Sequence, residues 1–277
     1  MAHALDSSHQ AVAGKARDWK ETLGRVGLVG QGVVAAIVGL LAIRIAMGEK
    51  EQDASGEGAV AWLSQQPLGK FLLVALTVAL FALALWRGLC ALMGDPVEGS
   101  DATHRAKFAV FAVIYLSLAI TTLSMTVSNW TGQATTTGGS SSDQKSEQAT
   151  STLFDLPAGR WIVGLVGAGI VGYGIYSFHK QVIRRKFVKR LDVDEQSWVV
   201  RLGMIGYGAK AAVIAVVGWF FLQAAITYRP EEAAGPSGAL LQLAGTSWGP
   251  LLLWAIAVGL FVYGLFCIAE SKHRTAA

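Results

Sequence analysis

The chain reads as an all-α integral membrane protein: six transmembrane helices, organised as three parallel two-helix repeats in a pseudo-threefold bundle. Three observations predict this. First, 53% of the residues are hydrophobic and only 15% are charged, with a mean hydropathy of +0.45; an ordinary soluble domain carries about 25% charged residues. Second, the charge sits in short loops between uncharged runs, each about as long as the 20 or so apolar residues a helix needs to cross hydrocarbon. Third, one hydrophobic unit recurs. Leu23–Gly39 reads LGRVGLVGQGVVAAIVG and Leu202–Gly218 reads LGMIGYGAKAAVIAVVG, so Leu23, Gly24, Gly27 and Gly39 fall on Leu202, Gly203, Gly206 and Gly218. A fainter copy, THRAKFAVFAVIYLSLA, runs from Thr103 to Ala119. An internal repeat of this kind outranks local signals in assigning the fold.

Residues 1–22 lack the apolar core of a signal peptide and are expected to be a cytoplasmic segment, with insertion directed by the first span. Residues 23–95 form the first repeat, with spans at Gly24–Met47 and Gly69–Met93. Residues 101–180 form the second, with spans at Ala106–Trp130 and Gly159–Phe178. Its connection at 131–152 is rich in Thr, Ser, Gly and Gln and lacks apolar periodicity, which predicts a long flexible outer loop. A basic loop fills 181–200, and the third repeat, 201–273, carries spans at Arg201–Tyr228 and Gly249–Glu270. Six spans consume the length, so no separate soluble domain is expected. Strands are not expected either, because barrel strands run to only about 9–11 residues.

The even spans repeat as well. Gly69, Gly159 and Gly249 stand beside Pro67, Pro157 and Pro250, and Trp86, Tyr176 and Phe266 keep the same spacing of 90 at the far end. Each unit crosses twice, so the three copies start on one side and are related by an axis along the membrane normal. Of the 23 basic residues, sixteen fall on the side of the termini and six on the other, with Lys210 inside a span. The excess of Lys and Arg places both termini in the cytoplasm. Trp62, Trp130, Trp161 and Trp248 mark the outer interface and Trp19, Trp86 and Trp198 the inner one, as an aromatic belt.

The pattern LGxxGxxxxxxxxxxxG, a short polar loop, then a Pro/Gly-started span closing on an aromatic resembles the bacterial plasma-membrane proteins of domain-of-unknown-function family 1206, whose members carry three two-helix repeats. The likeness covers about Trp19 to His273. It is clear in the first and third units and weak in the second, where Gly24 and Gly27 become His104 and Lys107. The resemblance implies the fold and brings no established activity with it.

Lys210 is the sharpest single residue, because an ionisable group within a span costs about 2.5–3.5 kcal/mol on insertion scales and marks a functional site by default. Its counterparts are Gln31 and Phe111. It would serve as a cationic anchor for an anionic solute or lipid headgroup. The blander reading, which the absence of an acidic partner within a span favours, lets its stem snorkel to the inner headgroups. Arg44 and Gln223, aligned with Ser124 near the outer ends of the odd helices, complete the candidate solute or lipid contacts; for Arg44, snorkelling is again the weightier reading. Lys180, Arg184, Arg185, Lys186, Lys189 and Arg190 form a juxtamembrane cluster expected to set topology and hold anionic lipid, rather than nucleic acid. GAGIVG at 167–172 matches a dinucleotide fingerprint but lies inside an apolar run, without the strand that motif requires. Gly164, Gly167 and Gly172 are instead expected to join Gly24, Gly27, Gly39, Gly203, Gly206 and Gly218 in close helix packing.

No carboxylate lies in a span interior, Glu270 being at a span end, and the five histidines form no metal spacing. Cys90 and Cys267 stand alone and suit small apolar positions, with no metal or other cofactor implied. The constellations of an enzyme are missing. The composition therefore favours a non-catalytic membrane component that is structural, lipid-binding or accessory, partnered by anionic lipid on the cytoplasmic side and by a membrane protein or a second copy. The alternative is a channel or transporter for a small anionic solute, using Lys210.

Overall fold

In hydrocarbon a backbone N–H or C=O finds no water, so an apolar run must satisfy its hydrogen bonds internally and becomes a helix. The computed structural model describes residues 2–49, 53–94, 101–131, 141–154, 158–191, 194 and 197–273. Among these, nine α-helices follow in order: α1 (Ala2–Ala46), α2 (Gly56–Ser64), α3 (Gly69–Met93), α4 (Ala102–Thr131), α5 (Ser141–Phe154), α6 (Gly159–Phe178), α7 (Trp198–Thr227), α8 (Pro236–Ala244) and α9 (Gly249–His273). The long ones, α1, α3, α4, α6, α7 and α9, contain the six stretches able to cross a membrane. The spans expected at Gly69–Met93 and Gly159–Phe178 coincide with α3 and α6.

The connections hold more structure than their composition predicts. The expected flexible loop at 131–152 contains α5, whose Thr150 and Phe154 are buried. The ring of Phe154 stacks on Tyr228 at 4.8 Å, so the apolar end of a polar segment anchors it to the bundle. The short loops of the first and third units contain α2 and α8. Ser55 starts α2 by accepting a hydrogen bond from Gly58 N at 3.1 Å, and Pro236 starts α8 at a position where its missing N–H costs nothing. The two starts are tied together where Ala54 N donates to Ser237 Oγ at 3.1 Å. The basic loop is likewise ordered: α6 runs into a π-helical turn at His179–Ile183, and a 3-10 turn at Lys186–Arg190 buries Phe187 under α7 and α9. Helix α1 also reaches back through the expected N-terminal segment.

The spans pack in the order α4, α3, α1, α9, α7, α6. The most extensive packing joins each even span to the next odd one: α3 with α4, α6 with α7, and α9 back to α1. Within a repeat, α1 packs on α3 and α7 on α9, whereas α4 and α6 are not packed along each other. The three units are therefore unequal. Two arginines reinforce the even-to-odd contacts: Arg105 of α4 donates to Ala91 O and Leu92 O of α3 at 2.8 and 2.6 Å, and Arg160 of α6 donates to Ala225 O and Ile226 O of α7 at 2.8 and 3.2 Å. Both satisfy carbonyls that a helix C-terminus leaves open.

Small residues set these approaches, as membrane helix packing requires. A methyl group at Gly264 of α9 would lie 2.5 Å from the Ala36 nitrogen of α1, and one at Gly32 would lie 2.7 Å from Gly264 O. Gly39 meets the Phe261 backbone, Gly27 meets Leu83 of α3, and Gly206 meets Tyr263 of α9. Gly24 faces the Trp86 ring and Gly203 the rings of Phe187 and Phe266, while Gly167 and Gly218 interlock α6 with α7. Gly164 makes only an ordinary contact with Ala225, and Gly172 corrects the expectation outright: its open side meets nothing, because it lies on the outward face of α6.

Gly264→Leu is expected to wedge α9 from α1 and lower stability by about 1–3 kcal/mol or more, whereas Gly172→Leu stays within about 0.5 kcal/mol of wild type. Thermal unfolding of both variants in one detergent checks the contrast.

Candidate functional site

The repeat places Gln31, Phe111 and Lys210 at equivalent points of α1, α4 and α7, and the structure brings all three around one tyrosine. Gln31 Nε2 donates to Tyr263 Oη at 2.9 Å, and Lys210 Nζ donates to the same oxygen at 3.2 Å. The Lys210 ammonium lies 4.9 Å from the centre of the Tyr263 ring and 5.8 Å from that of Phe111. This is cation–π range. Lys210 therefore turns into the bundle instead of snorkelling outward, and it is held by a hydroxyl and two rings, with no salt bridge to a carboxylate among the described residues. Gln31 is buried, and its Oε1 has no hydrogen-bond partner.

Beside Lys210 is a cavity of about 60 Å³. A buried water needs roughly 10–15 Å³ measured this way, so there is room for a few waters or one small anionic group. Arg87 of α3 and Lys107 of α4 line it with Lys210, giving three cations from three helices. The Arg87 guanidinium lies 4.9 Å from the Trp86 ring and 5.5 Å from both Phe108 and Phe111, and its Nε has no hydrogen-bond partner. Tyr115, Tyr173, Ser177 and Gln181 supply polar groups from α4, α6 and the turn after α6. Gln181 is 7% exposed, and its Oε1 is likewise unpartnered. None of the lining residues is an Asp, Glu, His or Cys. Glu270, near the end of α9, is buried but does not line the space.

Towards the termini the cavity rests on an aromatic floor. Tyr207 packs on Phe187, Tyr263 and Phe266 with ring centres 5.3–5.5 Å apart. Towards the other end the bundle is filled by apolar side chains. Ile37 and Leu41 of α1, Leu76 and Leu80 of α3, Ala119 of α4, and Ile256 and Leu260 of α9 form one apolar cluster, which Val60 and Leu240 of α2 and α8 cap. The cavity is thus bounded by aromatic rings towards the termini and by apolar side chains towards the other end.

The remaining expected contacts lie elsewhere. Arg44 pairs with Glu49 at 2.5 Å near the far end of α1, and Gln223 stands on the far half of α7; neither lines the cavity. In the basic cluster, Lys180 lies 5.7 Å from the Tyr176 ring, Arg184 donates to His179 Nε2 at 3.0 Å, and Arg185 and Lys186 are exposed. The side chains of Lys189 and Arg190 lie outside the described residues.

The family profile described as Domain of Unknown Function (DUF1206) matches three successive segments: 26–94, 106–184 and 205–274. The chain belongs to this family. It is also 30% identical over 268 residues to a Bacillus subtilis (strain 168) protein described as "Uncharacterized protein YxxB", covering 93% of this chain and 92% of that one. No solved structure matches. The three matched segments of this DUF1206 protein are the three repeats.

Sequence reasoning missed Arg87 and Tyr263. Arg87 is one of the basic residues on the side of the termini, and with Ser177 and Cys267 it keeps the 90-residue spacing of the even spans; two of these three line the cavity. Tyr263, Tyr173 and Leu83 form another such set. Aligning the even spans residue by residue would have found both.

Tyr263→Phe is expected to strand Gln31 and Lys210 without their acceptor and to cost about 1–3 kcal/mol. Gln31→Leu in the same chain should then cost less than it does alone, since both substitutions remove one shared hydrogen bond. A double-mutant cycle by thermal unfolding measures this.

Proposed function

We propose that this protein is a non-catalytic, multi-pass component of the bacterial plasma membrane, with both termini cytoplasmic, that holds an anionic group against Lys210 inside its bundle. The observation that carries the reading is the composition of the cavity: three cations from three helices, tyrosine hydroxyls, and no acidic lining residue. Cations kept together in a confined space repel one another, and an anion relieves that repulsion. Binding with no reaction fits a cavity that contains no histidine, thiol or carboxylate to move a proton or attack a substrate. The excess of Lys and Arg at the end holding the termini supports the orientation, and in that orientation Arg87 and Lys107 lie in the half of the bundle nearer the leaflet richest in anionic lipid.

The second reading is carriage of a small anion across the membrane. The placement of Lys210 among helices of all three repeats favours it, because repeat-built carriers hold their substrate at the repeat interface. Against open conduction is the apolar packing beyond Lys210. Binding is the reading we adopt.

Inorganic phosphate, sulfate or a short-chain phosphatidylglycerol, at least one of them, should raise the unfolding temperature of the wild type and not of Lys210→Gln. Ligand at 100 times its dissociation constant stabilises by about 2.7 kcal/mol. Dye-reported anion flux in proteoliposomes should stay at the protein-free level; flux that is lost in Lys210→Gln would establish carriage instead. A fluorescent-protein fusion at the C-terminus should be bright and a periplasmic phosphatase fusion inactive; the reverse would invert the orientation.

A further inference from the structure

We propose that the anionic group held at Lys210 is the phosphate of an anionic membrane phospholipid, which enters sideways through a seam between α4 and α6. The proposal rests on the anion-binding reading above and adds the ligand's class and its route.

The seam has a cause in the sequence. Gly27 of α1 sits against Leu83 of α3, and Gly206 of α7 sits against Tyr263 of α9, close enough that a methyl group would lie 2.7 and 2.6 Å from the facing Cα. These two glycines let the odd and even spans of the first and third repeats meet. The equivalent pair in the second repeat is Lys107 and Tyr173. A lysine cannot be pressed onto a facing backbone as a glycine can, and α4 and α6 are indeed the two spans of one repeat that do not pack along each other. The position that closes two repeats opens the third, and the residue that opens it is a cation lining the cavity.

What lies along the seam fits a lipid. Lys107 and Tyr115 border the cavity from α4, and Tyr173, Ser177 and Gln181 border it from the α6 side, so the space lies directly behind the gap. Tyr173 is 40% exposed, unlike its counterparts Tyr263 and Leu83, which are buried. The outward residues of both helices are apolar: Val110, Val113 and Ile114 on α4, Leu165, Val166 and Ile175 on α6. A headgroup among Arg87, Lys107 and Lys210 would therefore leave its acyl chains in hydrocarbon. The unpartnered Gln181 Oε1 and Arg87 Nε border the same space, and a glycerol hydroxyl and a phosphate oxygen supply what each lacks. A soluble anion satisfies the charge but gains nothing from a side opening onto lipid.

The test uses the full chain in phosphatidylcholine nanodiscs containing about one-tenth phosphatidylglycerol, with retained lipid counted by native mass spectrometry. One phosphatidylglycerol per chain should persist in the wild type. Lys210→Gln and Lys107→Gln should each weaken retention about fivefold, near the worth of one cation at a lipid surface. Ser177→Trp, which fills the mouth of the seam and removes no charge, should weaken it as much, and the lipid-facing control Leu165→Trp should leave it unchanged. Inorganic phosphate at about 10 mM should not displace the lipid. If phosphate displaces it and Ser177→Trp retains it normally, the lateral route is overturned while anion binding stands. If the wild type retains phosphatidylcholine and phosphatidylglycerol alike and phosphate does not stabilise it, both readings fall.

Discussion

The bundle depends on how closely α1 can approach α9. Gly32 and Gly264 bring the two backbones into contact, and that contact joins the first repeat to the last. In lipid, helices gain little from burying apolar surface, so association relies on close packing and on the hydrogen bonds that closeness permits. The α1–α9 contact supplies both. It seats Gln31 within 2.9 Å of the Tyr263 hydroxyl, which also receives Lys210, so one oxygen ties α1, α7 and α9 together. If the two helices stood a few ångströms further apart, Gln31 would lose its acceptor and Lys210 part of its enclosure.

The rest of the bundle can be read as consequences of that closure. Because α1, α3, α7 and α9 pack on one another, the looseness falls on the second repeat, whose spans are the least covered of the six. Charge collects where the packing is loose: Lys107 replaces a packing glycine, and Arg87 and Lys210 reach the same space from α3 and α7. A polar cavity is tolerable in a membrane protein only if its groups find partners or water. Here the aromatic rings and tyrosine hydroxyls meet part of that demand on the terminal side, leaving Gln31 Oε1, Gln181 Oε1 and Arg87 Nε without protein partners, and an apolar cluster under α2 and α8 fills the other side.

The short helices show how the ends of such a bundle are finished. Each repeat carries one between its spans: α2, α5 and α8. Val60, Leu63, Phe154 and Leu240 plug the bundle, and Thr150 and Ser237 are buried with them. Composition alone marks these segments as loops, since nine to fourteen residues with mixed polarity give little periodicity. Caps such as Ser55 and docking onto neighbouring spans make them helical.

Sequence alone determined the parts of this protein that depend on local polarity. The six spans, the threefold repetition and the family follow from where charge is absent and where glycine recurs, because the cost of a polar group in hydrocarbon is paid residue by residue. The weight of Lys210 was also legible, since a lysine in an apolar run is conspicuous. The tertiary structure decided what Lys210 touches. Neither the direction of its side chain nor its union with Gln31 at Tyr263, 232 and 53 residues away in the chain, is encoded locally. The same holds for Gly172, whose neighbours in sequence pack while it faces outward, and for Arg44, which pairs with Glu49 away from the cavity. Packing between distant helices determined those outcomes, and a linear pattern cannot show which face of each helix another helix will cover.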